Sequence, residues 1–195
     1  MFQYLDKKAF NYYLFTYNHD QDYLSYIDKH FSMVVDINNK SDNQIENMVR
    51  KHDLDILIDL SIHIPHNKMN VVNRKLARKT ISYLGFPGSS GSDNYDYIIA
   101  DKIVIPEDKQ KFYTENVLYL PNIYQVNDGM KKYPNNKSRK NDYSLPEEKI
   151  ILSCFNQSFK IEEGIFKCWI DILKRNENTV LWLLEDNALM KQHVV

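Results

Sequence analysis

Cysteine, glycine and proline are scarce in this sequence, with two, five and six among 195 residues, and tryptophan occurs only twice. The two cysteines, Cys154 and Cys168, can form neither a disulfide framework nor a four-cysteine zinc site, and they are expected to be buried, reduced, small hydrophobes. No apolar run approaches the roughly 20 residues of a membrane helix, which argues against a membrane partner. The first eight residues lack the basic-then-apolar order of a signal peptide, so a cytoplasmic protein is expected. A basic excess is missing as well. The 25 Lys and Arg are matched by 26 Asp and Glu, a net charge of −1, which argues against nucleic acid as a partner. Neither Gly-x-x-x-x-Gly-Lys-Ser/Thr nor Gly-x-Gly-x-x-Gly occurs, and there is no internal repeat or low-complexity tract.

What is present is ordinary globular material, 43% hydrophobic and 26% charged, in a length that suits one domain or pieces of two. The 14 tyrosines are spread along the chain as packing residues and form no platform for stacking bases. The few glycines are concentrated: three of the five fall in Ile81-Ser82-Tyr83-Leu84-Gly85-Phe86-Pro87-Gly88-Ser89-Ser90-Gly91. Apolar runs enter and leave this stretch, which spells strand, wide turn, strand. Glycine permits positive φ and close approach of backbone to a ligand, but on periodicity alone an ordinary turn is the leading account of such a loop.

Along the chain, residues 10–17 suit a half-buried strand and 23–31 carry Leu24, Ile27 and Phe31 at helical spacing. Residues 33–37 form a short β-branched run. Ser41 and Gln44 have capping-box spacing ahead of a helix with Ile45, Met48 and Val49 on one face. Residues 55–60 are nearly continuous apolar sequence, as expected of a strand covered on both faces, and 68–77 suggest a helix. Past the glycine loop come a strand at 97–100, an apolar run at 102–105 ending at Pro106, a short helix at 107–115 and a strand at 117–120. This alternation predicts α/β architecture with a parallel sheet, in which ligands sit beyond the carboxyl ends of strands. From 127 to 146 apolar residues nearly vanish, marking a linker. A strand at 149–155, a helix at 161–174 with Ile165, Trp169, Ile172 and Leu173 on one face, and a strand at 179–184 then begin a second unit, too little to close a core of its own.

Gln157 and Lys160 stand between a strand and a helix N-terminus, where backbone donors and the helix dipole favour phosphate; a solvated lysine at a helix start is the plainer alternative. His63 and His66 follow the 55–60 strand. Histidine there suits acid–base work, or simply a surface loop, and no Cys, Asp or Glu cluster completes a metal set. Asp59 either orients a partner in that loop or caps the strand end.

Three segments together carry a resemblance. They are the glycine loop with Asp96-Tyr97-Ile98-Ile99-Ala100-Asp101, then Cys154-Phe155-Asn156-Gln157-Ser158-Phe159-Lys160-Ile161, then Val180-Leu181-Trp182-Leu183-Leu184. In order and spacing, over nearly the whole chain, they resemble the catalytic region of the O-linked N-acetylglucosamine transferase family, in its bacterial, repeat-bearing form. The resemblance implies a GT-B fold of two facing Rossmann-like lobes, with 1–126 as part of the first lobe, 127–147 as linker and 148–195 as the start of a nucleotide-binding lobe. It implies UDP-N-acetylglucosamine (UDP-GlcNAc) as donor substrate, Ser or Thr hydroxyls of acceptor proteins as targets, and no cofactor or metal. Carried over by motif, Leu84, Gly85 and Pro87 line the donor sugar, Gln157 and Lys160 bind nucleotide and diphosphate, and Lys160, with His63 as a weaker candidate, is catalytic. The chain departs from the family's Asp-Leu-Asn-Gly-His-Thr string, keeping only Asp59, Leu60 and His63 of it. The family's further active-site His and Asp and its His-Thr-Thr segment would lie outside 1–195, so a fragment is expected, completed by a complementary chain or a segment bearing tetratricopeptide repeats. The alternative is a non-catalytic α/β module that keeps nucleotide-sugar or protein binding.

Overall fold

A computed structural model describes residues 2–17, 21–127, 129 and 138–187. The chain divides into two compact units, Met1–Lys131 and Lys132–Val195. Part of the expected linker, 128 and 130–137, lies outside the described residues.

In the first unit β1 (Tyr13–Thr16) pairs in parallel with β2 (Met33–Asp36), joined by α1 (Gln21–Ile27) and a 3-10 turn, Asp28–His30. The strand expected at 10–17 is shorter because β2 offers partners only to Tyr13–Thr16. Next, α2 (Asp42–Arg50) begins at the expected capping box, in which Ser41 Oγ accepts from Gln44 N–H and the Gln44 side chain accepts from Ser41 N–H. A four-stranded parallel sheet follows in sequence order, with β3 (Leu54–Asp59), β4 (Ala77–Ser82), β5 (Tyr97–Ala100) and β6 (Asn116–Tyr119). The core around Ile37, Ile45, Val49, Val71 and Leu76 joins α2 to residues of both sheets, including Phe15, Val35, Leu54 and Leu57.

Four further expectations change. The helix expected at 68–77 shrinks to α3 (Met69–Val72), and Ala77 belongs to β4. Lys75 takes a left-handed φ of 52°, and the Arg74 and Lys75 carbonyls accept from the Arg50 guanidinium, so no helical amide claims them. The run at 102–105 is a turn: the Asp101 carboxylate accepts from Ile103 and Val104 N–H, and Ile105 drops into the core beside Ile98 and Ala100. Strand β3 is covered on one face only, since Ile56 and Ile58 remain 52% and 51% exposed. The segment after Pro106 is a 3-10 helix, Glu107–Phe112.

In the second unit β7 (Ile150–Cys154) pairs in parallel with β8 (Thr179–Leu183), and α4 (Glu163–Arg175) crosses between them in sequence. A 3-10 turn, Lys140–Tyr143, lies inside the expected linker, and the Tyr143 ring packs 5.4 Å from that of Trp182. None of the residues described from 138 to 187 is fully buried. Cys168 is exposed and Cys154 half-buried, against the expectation that both are buried; among the described residues of this unit no side chain packed around them is itself fully covered. Among the described residues no helix is long and apolar enough to cross a membrane.

The capping box ties a helix whose Ile45 and Val49 are core residues to its start. Ser41→Ala is therefore expected to cost about 1 kcal/mol in urea unfolding and Ser41→Asp much less; equal losses from the two would contradict a capping role.

Candidate functional site

The carboxyl ends of β3 and β4 lie level, Asp59 pairing with Ser82, so the two chains leave the sheet side by side. Asp59, 5% exposed, accepts from Ser61 N–H and Ser61 Oγ on one oxygen, at 2.9 and 2.8 Å, and from the buried Tyr95 hydroxyl on the other, at 2.6 Å. Burial, then the Asp59 carboxylate, push the Tyr95 phenol well above its ordinary range, which keeps it a donor. Asp59 is thus committed to holding the loop that carries His63.

Three side chains in these two loops occupy backbone that L-residues avoid, His63 at φ 61°, His66 at φ 63° and Leu84 at φ 71°. Each costs roughly 1 kcal/mol or more, which the surrounding contacts must offset. Those contacts are visible. A Cβ on Gly85 would sit 2.7 Å from Leu60 O and 3.2 Å from Ile62 N, so glycine lets the two loops touch backbone to backbone. His63 Nε2 lies 2.9 Å from Ser89 O, and since a carbonyl only accepts, that nitrogen carries the proton. The His63 ring also meets Phe86 edge-on at 5.9 Å.

The loop is tied down from β6 and its approach. Tyr113 Oη donates to Pro87 O at 2.8 Å. Glu115, 4% exposed, accepts from Ser90 N–H at 2.6 Å and Ser89 Oγ at 2.8 Å. Burial pushes the Glu115 carboxyl up, but the hydrogen bonds from Ser90 and Ser89 outweigh it and leave the group below its ordinary 4.5. Behind the loop, Tyr83 Oη donates to Tyr124 O, and Tyr124 N–H donates to the buried Asp101 carboxylate. The 60–64 loop and Leu84, Gly85 and Pro87 therefore form one structured edge.

Gln157 and Lys160 lie in the second unit, after β7. Both are exposed; Gln157 precedes a 3-10 turn, Ser158–Lys160, whose last residue is Lys160, and α4 begins only at Glu163. Between them Ser158 N–H donates to Asp186 at 2.7 Å, an interaction that holds the Asp186 carboxyl below its ordinary range. No three His, Cys, Asp or Glu side chains gather as a metal site among the described residues.

The model of glycosyl transferase family 41 matches residues 4–141 and 136–195. The chain belongs to this family. The family 41 chain is 33% identical over 177 residues to the probable UDP-N-acetylglucosamine–peptide N-acetylglucosaminyltransferase SEC of Arabidopsis thaliana, a match covering 88% of the chain and 18% of that protein. With the SPINDLY relative of Eustoma exaltatum subsp. russellianum, named as the same kind of transferase, identity is 25% over 146 residues, or 75% of the chain and 16% of the relative. A solved mutant O-GlcNAc transferase of Thermobaculum terrenum superposes with a TM-score of 0.83 at 18% identity, over 99% of this chain and 36% of that one. The family 41 chain thus spans less than a fifth of the curated relatives' length. The fold is that of GT-B glycosyltransferase lobe pieces, α/β with parallel strands, as the resemblance implied.

Residue-by-residue expectation missed Glu115, which lies 25 positions from Ser90 and carries no motif. The Asp101 turn was legible in principle, as an Asp followed two and three residues on by the amides it caps. For the edge itself two outcomes are expected. Gly85→Ala should lower Tm clearly more than Gly88→Ala, whose added Cβ meets only the movable Phe86 ring; the reverse order would disprove the close approach. Glu115 has a folded value below its unfolded one, so the stability it contributes is present above pH 4.5 and drains as pH falls through the folded value. Glu115→Gln should accordingly show a flatter acid-unfolding curve below pH 4.5 than wild type, and parallel curves would refute this.

Proposed function

We propose that this chain is part of a UDP-GlcNAc-dependent protein O-glycosyltransferase that modifies Ser or Thr hydroxyls of acceptor proteins. The observation that carries it is the family match over nearly all of the chain, together with relatives named as transferases of that kind. On this proposal residues 1–126 supply the donor-sugar wall, with Leu84, Gly85 and Pro87 lining the sugar, and 148–195 supply Gln157 and Lys160 for nucleotide and diphosphate, with 127–147 as linker. The exposed Lys160 ammonium is the catalytic group. As the bond from sugar C1 to UDP breaks and the acceptor oxygen bonds to C1, its hydroxyl proton passing to solvent, negative charge grows on the β-phosphate, and a lysine placed there stabilises the transition state more than the ground state. His63 is the weaker catalytic candidate, its Nε2 being committed to Ser89 O. No metal or other cofactor enters this scheme, and the setting is cytoplasmic.

A second possibility, a non-catalytic nucleotide-sugar or protein-binding module, is favoured by one observation: the second unit has no buried residue among those described. Calorimetry with UDP and a transfer assay separate the two. Binding with transfer, on addition of the remaining family segments, supports the enzyme; binding without transfer supports the nucleotide-sugar module; no UDP binding overturns both of these and leaves only a protein-binding module.

In the assembled enzyme Lys160→Met is expected to lower kcat about 100- to 1,000-fold, the scale for losing one preorganised donor, while leaving donor KM within a few-fold. Matching losses in kcat and donor affinity would remove Lys160 from the catalytic role.

A further inference from the structure

His63 and Glu115 do not touch, yet both grip one peptide unit. The Ser89 carbonyl accepts from His63 Nε2–H at 2.9 Å, and the N–H of the same peptide, that of Ser90, donates to Glu115 Oε1 at 2.6 Å. A trans peptide is planar with its C=O and N–H pointing opposite ways, so holding the N–H on one side aims the C=O on the other. Hydrogen bonds in series also polarise one another, making the carbonyl a better acceptor for the imidazole.

Glu115 is placed for this work. It is almost fully buried, and its second oxygen accepts from Ser89 Oγ at 2.8 Å. That hydroxyl in turn accepts from Gly91 N–H and Thr114 N–H, at 3.1 and 3.2 Å, so the residue on each side of the peptide bond is fastened to the same carboxylate. Among the described residues the imidazole has no comparable clamp of its own: His63 is exposed, in a left-handed loop position, with the Phe86 ring beside it.

We propose that Glu115 is the positioning residue of this edge, orienting the Ser89–Ser90 peptide so that its carbonyl fixes His63 as the Nε2-protonated tautomer, with Nδ1 left as the unprotonated nitrogen. For its bearing on the reaction this rests on Leu84, Gly85 and Pro87 lining the donor sugar. The tautomer itself does not depend on that assignment.

The test is long-range proton–nitrogen NMR of the full chain labelled with 15N-histidine, the His63 signals being assigned by their loss in His63→Gln. In wild type at neutral pH, His63 Nδ1 is expected at a pyridine-like shift and Nε2 at a pyrrole-like one. In Glu115→Ala both shifts should move toward the average of the two tautomers, and Glu115→Gln, which keeps an acceptor for Ser90 N–H, should restore the separation at least in part. A structural role alone gives no such rescue pattern. Should Glu115→Ala not fold by circular dichroism, Glu115→Asp carries the same expectation, because it retracts the carboxylate by one methylene. His63 shifts unchanged from wild type in a folded Glu115→Ala or Glu115→Asp overturn the proposal, as does a wild-type His63 already in mixed tautomers. A wild-type chain with the fixed tautomer and no UDP affinity would sink the proposed function and leave Glu115's role standing.

Discussion

Parallel pairing of β3 with β4, which sets Asp59 level with Ser82, is the constraint on which the candidate site depends. In a parallel sheet both chains leave at the same edge, so the His63 loop and the glycine loop must share space immediately beyond it. They can do so only because Gly85 has no Cβ: any side chain there would run into the Leu60 carbonyl at 2.7 Å. Once the loops are in contact, the positive φ values of His63 and Leu84 can be held, since the neighbouring chain supplies the bonds that compensate for them.

The carboxylates buried at this edge are satisfied in a directed way, whereas the buried Ser82 hydroxyl beside Asp59 has no hydrogen-bond partner among the described residues. Asp59 ends in Tyr95 and Ser61, Asp101 in Ile103, Val104 and Tyr124, and Glu115 in Ser89 and Ser90. Each carboxylate receives backbone N–H groups from a segment that has no strand partner, which is how irregular chain meets its obligatory hydrogen bonds. Three acids near the carboxyl ends or starts of strands thus replace secondary structure in shaping loops. The second unit shows the contrasting condition. Two strands and one helix give it correct local geometry and an aromatic cluster of Tyr143, Phe155 and Trp182, but no buried residue among those described.

Much of this was legible in the sequence. The capping box at Ser41 and Gln44, the order of strands and helices, the break in composition after 126 and the glycine loop all depend on neighbours in the chain, and family membership follows from short strings of residues. Errors arose where a distant group intervened. Residues 74–75 have helical character in the sequence, but Arg50 reaches their carbonyls from α2 and the chain turns into β4. The 55–60 run has the composition of a strand covered twice, yet Ile56 and Ile58 stay half exposed, because composition records what a strand tolerates and not what lies against it.

The glycine loop marks the division most sharply. By itself the sequence determined that Gly85, Gly88 and Gly91 cluster between two strands and that their surroundings match a transferase family, since spacing and residue type are one-dimensional properties. Only the tertiary structure decided which glycine is indispensable, that the Ser89 carbonyl meets His63, and that Glu115 holds the other end of that peptide. Those facts depend on strand register, which brings together residues 25 and 26 positions apart and leaves no trace in local pattern.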